Sequence, residues 1–87
     1  MGIHLYSSMI NILELINKIK WDANEDPKEY SFYYSDRLEE RNKEFKFREI
    51  KRIMNLFLIV EKNRREFYLP IHRINEVRKF DRIIWKR

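Results

Sequence analysis

No cysteine, threonine or glutamine occurs in the 87 residues, and the one glycine is Gly2. Without cysteine there is no disulfide framework, no thiol nucleophile and no zinc site of the common thiolate kinds, which fits a cytoplasmic protein. Without a glycine-rich loop there is no backbone cradle of the P-loop or dinucleotide type, so nucleotide hydrolysis is disfavoured. His4 and His72 are the only histidines, too few for a histidine-rich metal centre, and no cofactor is expected. The longest early apolar stretch, residues 9–16, is broken by Asn11 and Glu14, so neither a signal peptide nor a membrane span is expected.

What is present is charge and aromatic area. Six Phe, five Tyr and two Trp supply much buried surface per residue. A chain this short buries only about 60% of the surface its unfolded form exposes, so a small aromatic core and a shallow surface site are expected. One domain, residues 1–87, accounts for the length. The net charge is +5, but residues 22–49 hold nine acidic and six basic side chains while residues 50–87 hold four acidic and eleven basic ones. A basic face on the C-terminal half points to a polyanion; for any single cation, a solvated surface is the plainer reading. Twelve Ile, abundant Lys and Glu and no Gln match thermophile usage, although seven Asn argue the other way and an AT-rich genome would give the same Ile, Lys and Asn usage.

Met9, Ile12, Leu13, Ile16 and Ile19 recur at helical spacing, predicting an amphipathic helix from the capping candidates Ser7 and Ser8 to Lys20-Trp21. Residues 22–27 read as a loop. Tyr30, Phe32 and Tyr34 then alternate with Ser31, Tyr33 and Ser35, a strand pattern. The charged segment 36–44 reads as a loop before a short strand around Phe45 and Phe47. Ile50, Ile53, Met54 and Phe57 have helical spacing, so one helical turn is expected near Ile50, followed by a buried strand at residues 56–60. Two hairpins complete the pattern: one turns at residues 62–65 and ends at Pro70, the other joins Ile74–Phe80 to Ile83–Trp85. The expected fold is α+β: an N-terminal amphipathic helix packed on a strongly curved, mostly antiparallel sheet of about five strands, curled towards a small barrel.

The acids Asp22, Asp26, Asp36 and Glu39 offer a paired-carboxylate site on paper, but loop acids are more often solvated. The run Leu69-Pro70-Ile71-His72-Arg73-Ile74 is more informative. An arginine presents a planar fork that matches a phosphate in bidentate fashion, and a histidine beside it can donate another hydrogen bond. Neighbouring residues on a regular strand face opposite ways, so the two converge only if the chain turns here, which Pro70 permits. The plainer alternative is a structural His72 and a snorkelling Arg73.

The helix running into Lys20-Trp21-Asp22, the segment Tyr34-Ser35-Asp36-Arg37, the Leu69–Ile74 run and the final Ile83-Ile84-Trp85-Lys86-Arg87 occur in an order that spans nearly the whole chain. This combination resembles a small, mostly archaeal family of uncharacterised proteins, proposed to recognise RNA ends bearing 2′,3′-cyclic phosphates. The Pro-x-His-Arg-Ile block is the most specific part of the likeness. The resemblance implies that His72 and Arg73 are the family's His-Arg pair and Arg37 the basic residue after its first strand. Residues 38–43 depart from the glycine and compact turn that the family commonly has there.

Three functions follow. The first is a non-catalytic RNA-binding module in which Arg73 and Arg37 hold the terminal phosphate, His72 donates to it, and Tyr34 or Tyr68 stacks on the last base. The second is a phosphoesterase or nuclease using His72 as acid or base, although a two-histidine esterase needs a second histidine motif. The third is a protein-interaction subunit with a basic face. RNA is the expected partner, with protein partners in RNA processing as a further expectation.

Overall fold

The computed structural model describes residues 11–36 and 41–87. Helix α1 spans Ile12–Trp21 and is capped reciprocally: the Glu14 amide donates to the Asn11 side chain and the Asn11 amide to the Glu14 carboxylate. Asn11 is therefore the cap, and Ser7 and Ser8 lie outside the described residues. Ile12, Leu15, Ile16 and Ile19 form the buried stripe, with Lys18 and Lys20 at the negative end of the helix dipole.

Seven strands follow: β1 Tyr30–Ser35, β2 Asn42–Lys46, β3 Ile50–Ile53, β4 Phe57–Lys62, β5 Arg65–Pro70, β6 Ile74–Lys79 and β7 Arg82–Lys86. They make two antiparallel sheets, one ordered β2-β1-β6-β7 and the other β3-β4-β5. This corrects the expected α+β fold with one strongly curved sheet of about five strands tending to a barrel. The described chain is mostly β, its strands are split between two sheets, and no barrel closes.

The reason lies at two corners. The chain leaves the first sheet through a 3₁₀ turn, Phe47–Glu49, and returns to it through another, Ile71–Arg73. Each turn ends in an isoleucine, Ile50 or Ile74, whose amide donates to the carbonyl of the turn's first residue. Each isoleucine is followed by a register shift. In β3, Ile50 faces Val60 and Ile53 faces Leu58; in β6, Ile74 faces Tyr34 and Val77 faces Phe32. One extra residue in the bulge puts positions three apart on the same core-facing side, where an unbroken strand would point them apart. The helical spacing of Ile50 and Ile53 thus comes from a bulged strand, and the helical turn expected near Ile50 is β3 preceded by a 3₁₀ turn.

One core joins the parts. The helix stripe packs in a single cluster with Tyr30, Phe32 and Tyr34 of β1, Phe45 of β2, Leu58 and Val60 of β4, Leu69 of β5, Ile74 and Val77 of β6 and Trp85 of β7. The Phe32 and Phe45 rings stack at its centre with centroids 5.1 Å apart. Among the described residues no helix is long and apolar enough to cross a membrane.

Candidate nucleic-acid interface

The β4–β5 hairpin turns on two residues, Asn63 and Arg64, both at positive φ (53° and 68°), the geometry of a two-residue primed turn. The turn sets Lys62 directly opposite Arg65. Two like charges across a strand pair are unfavourable unless an anion sits between them. At the other end of the hairpin, Pro70 closes β5, an edge strand where its missing N–H costs no ladder bond. The Ile71 amide donates to the Leu56 carbonyl at 2.9 Å, pinning the corner that carries His72 and Arg73.

A groove of about 550 Å³ runs between the β5 edge and the end of the β1–β2 pair. Lys43, Lys62, Arg65 and Arg73 line it, with Asp36 as the one carboxylate. Asp36 pairs with Lys43 at 2.9 Å, and the Lys62 ammonium donates to the Glu44 backbone carbonyl. Arg65 and Arg73 form no ion pair with the described residues, so the groove carries a clear positive excess. Its walls include Tyr34 and Tyr68. Tyr68 is 69% exposed, its ring stacked on Phe57 at 4.9 Å and 10°. Tyr34 is 8% exposed and its ring packs against Phe45 and Phe67.

The fold therefore gathers Arg73, Tyr34 and Tyr68 on one groove. His72 is exposed and lines a separate, largely apolar cavity of about 920 Å³. Tyr68 and Pro70 line both, so they form the wall between them. The 3₁₀ turn accounts for the split: at three residues per turn, neighbours project in divergent directions. Arg37, the other expected phosphate ligand, lies outside the described residues, directly after Asp36 in the sequence.

Lys43, Lys62 and Arg65 complete the groove and were not singled out from the sequence. The basic run at 62–65 reads as a turn, and only the fold places it along the groove that Arg73 also lines, as only the β1–β2 register sets Lys43 opposite Tyr34. The acids weighed as a paired-carboxylate site, and read as solvated loop residues, have local roles. Asp22 accepts from the Asn24 amide, Asp26 caps the 3₁₀ turn Pro27–Glu29, and Asp36 holds Lys43. Glu39 lies outside the described residues. Among the described residues no group of His, Asp and Glu is arranged to hold a metal ion.

On the face of the four-stranded sheet that carries Ser31 and Glu76, two cations, Lys46 and Arg78, are paired with carboxylates. Lys46 hydrogen-bonds Glu44 and, with help from the Ser31 hydroxyl, holds its carboxyl below the usual carboxylate range; Lys46 also donates to Ser31 at 2.8 Å. Glu76, nearly buried, is bound by the Arg78 guanidinium, which lies over the Tyr33 ring at 5.0 Å. The groove differs in carrying Arg65 and Arg73, which form no ion pair with the described residues.

Residues 9–87 match the MJ1316 RNA cyclic group end recognition domain. UPF0248 proteins from three strains of the archaeon Saccharolobus islandicus (L.S.2.15, Y.G.57.14 and Y.N.15.51) are each 33% identical over 81 residues, covering 90% of this chain and the whole of each relative. No solved structure matches the chain significantly.

Proposed function

This chain belongs to the MJ1316 RNA cyclic group end recognition family, and from that premise we propose that it binds RNA ends carrying a cyclic phosphate, without turning them over, in the groove between β5 and the β1–β2 pair. The observation that carries the reading is the set of Arg73 and Arg65, unpaired among the described residues, beside the exposed Tyr68 ring. Arg73 and Arg65 supply planar donors for the phosphate, Lys43 and Lys62 add charge, and Tyr68 offers a face to the terminal base. Tyr34 supports the groove from the core. Arg37 is assigned to the same phosphate on its sequence position after Asp36. His72 acts on the far side of the Tyr68 wall, as a contact to the RNA rather than to the end phosphate.

A cyclic phosphate carries one negative charge and a linear monoester nearly two at neutral pH. Charge alone would therefore favour the linear end. A preference for the cyclic end must come from the fit of a small ring against Arg73 and the Tyr68 face.

The test is binding, by fluorescence anisotropy, of matched oligoribonucleotides ending in a cyclic phosphate, a linear phosphate or a hydroxyl. Wild type is expected to prefer the cyclic end, and Arg73→Ala to lose that preference with about a tenfold or greater drop in affinity, the size of one charge-assisted contact. Equal affinity for the three ends would sink the reading, and so would release of a linear product that stops in His72→Ala.

A further inference from the structure

Among the described residues that line the cavity holding His72 there is no carboxylate side chain, and three of them, His72, Lys86 and Arg87, are basic. Arg87 is fixed in place. Its Nε donates to the Ile74 carbonyl at 3.0 Å and its Nη2 to the Ile71 carbonyl at 3.1 Å, while the guanidinium lies 5.2 Å from the centre of the Trp85 ring. Two of the five N–H groups of an arginine are used in this way, and no ion pair with the described residues takes the rest. The remainder of the lining is mainly apolar, including the exposed Leu56 and the Phe57–Tyr68 stack. A ligand with a flat apolar face and a neighbouring negative charge fits this surface, which describes a nucleotide within a chain better than an apolar peptide or a lipid tail.

The wall between the two depressions supplies the connection. Tyr68 and Pro70 border both groove and cavity, so the path from Arg73 into the cavity crosses that wall, and an RNA end seated at Arg73 can pass its preceding nucleotide over it. We propose that the apolar cavity is the seat of the penultimate base, packed beside the Phe57–Tyr68 stack and hydrogen-bonded by His72, with Arg87 holding the phosphate that precedes it. The inference rests on the groove as the seat of the end, and it makes the substrate an oligonucleotide end of at least two nucleotides rather than a mononucleotide. It also gives separate tasks to the adjacent His72 and Arg73: Arg73 reads the end and His72 the nucleotide before it.

The experiment compares three ligands that share one cyclic-phosphate end: a trinucleotide, the same trinucleotide made abasic at the penultimate position, and a mononucleoside cyclic phosphate. Wild type is expected to bind the intact trinucleotide about tenfold or more tighter than the abasic one, the scale of a single stacked base. Leu56→Ser, at a 77% exposed position that the core does not need, and His72→Ala are expected to shrink that ratio while keeping the preference for a cyclic over a hydroxyl end. Arg87→Ala is expected to weaken the trinucleotide more than the mononucleoside, whose seat it touches only by loosening the corner it braces through the Ile71 and Ile74 carbonyls. Methyl NMR signals of Ile12, Leu56 and Ile71 should shift with the intact trinucleotide and not with the abasic one. Equal binding of intact and abasic trinucleotides, with the end preference kept, overturns the base seat alone. Base dependence without an end preference overturns the groove reading and leaves the base seat standing. Binding of none of the ligands overturns both.

Discussion

Tyr30 is the residue whose surroundings make the sharpest prediction about pH. Burial raises its pKa, reinforced by the hydrogen bond from its hydroxyl to Glu25 and by the nearby charges of Glu25, Glu29 and Asp22. The folded phenol keeps its proton to higher pH than the unfolded one. Its contribution to stability is thus fully present below the ordinary tyrosine range near pH 10 and is lost as pH rises through and beyond it. Thermal melts from pH 9 to 11 should show Tm falling steeply in wild type and less steeply in Tyr30→Phe; identical slopes would remove Tyr30 as the cause. Phe32 and Phe45, both fully buried and stacked, are the costliest truncations. Either one changed to Ala is expected to lose about 3–5 kcal/mol, a large part of the stability of a domain this size, measurable by urea unfolding.

At the scale of an element, the β4–β5 hairpin carries two unfavourable features on the groove rim. Arg64 sits at φ 68°, a left-handed conformation that costs a residue with a Cβ about 1–2 kcal/mol and a glycine little. Lys62 faces Arg65, a like-charge pair worth a few tenths to about 1 kcal/mol of repulsion. Arg64→Gly, which makes the preferred Asn-Gly turn, should raise Tm by about 2–6 °C. Arg65→Ala should raise the Tm of the free protein slightly and lower its affinity for RNA, as expected where an anion is what relieves the repulsion. A variant with lower Tm and unchanged binding would place Arg65 outside the site. The two 3₁₀ corners are elements of the same kind: apolar positions at 47, 50 and 53 and at 71, 74 and 77 build each bend into the core. That leaves His72 and Arg73 as the two positions of the second corner that the core does not need.

For the whole molecule, the groove predicts how binding responds to salt. Four cations line it and one of them is held by Asp36, so about three are available to phosphates, giving a slope of log affinity against log salt near −2 for a single strand. A slope several times steeper would mean that RNA tracks over the wider basic surface instead of this groove. At high salt the end preference should persist while total affinity falls, because shape recognition releases no counterions and charge pairing does.

Composition and periodicity determined what could be read locally. The absence of cysteine and of a glycine-rich loop removed whole classes of chemistry. The helix expected from Met9, Ile12, Leu13, Ile16 and Ile19, the alternation at 30–35 and the hairpin ending at Pro70 are local patterns, and each became the element expected, although Leu15 rather than Leu13 joins the buried helix stripe and Met9 lies outside the described residues. The split into two sheets was illegible because a β-bulge converts period two into a spacing of three, which on paper is a helix; the extra residue is recognisable only when its partner strand is known. The site divides in the same way. His72, Arg73, Tyr34 and Tyr68 were legible as residue types able to hold a phosphate and a base. Which of them share a surface depended on the packing that sets Lys43, Lys62 and Arg65 along the same groove as Arg73, and on a turn of three residues that sends His72 to the other side of Tyr68. Adjacency in sequence fixed only that the two side chains start 3.8 Å apart at Cα; the direction of each was decided by the backbone dihedrals of a corner that long-range core packing holds in place.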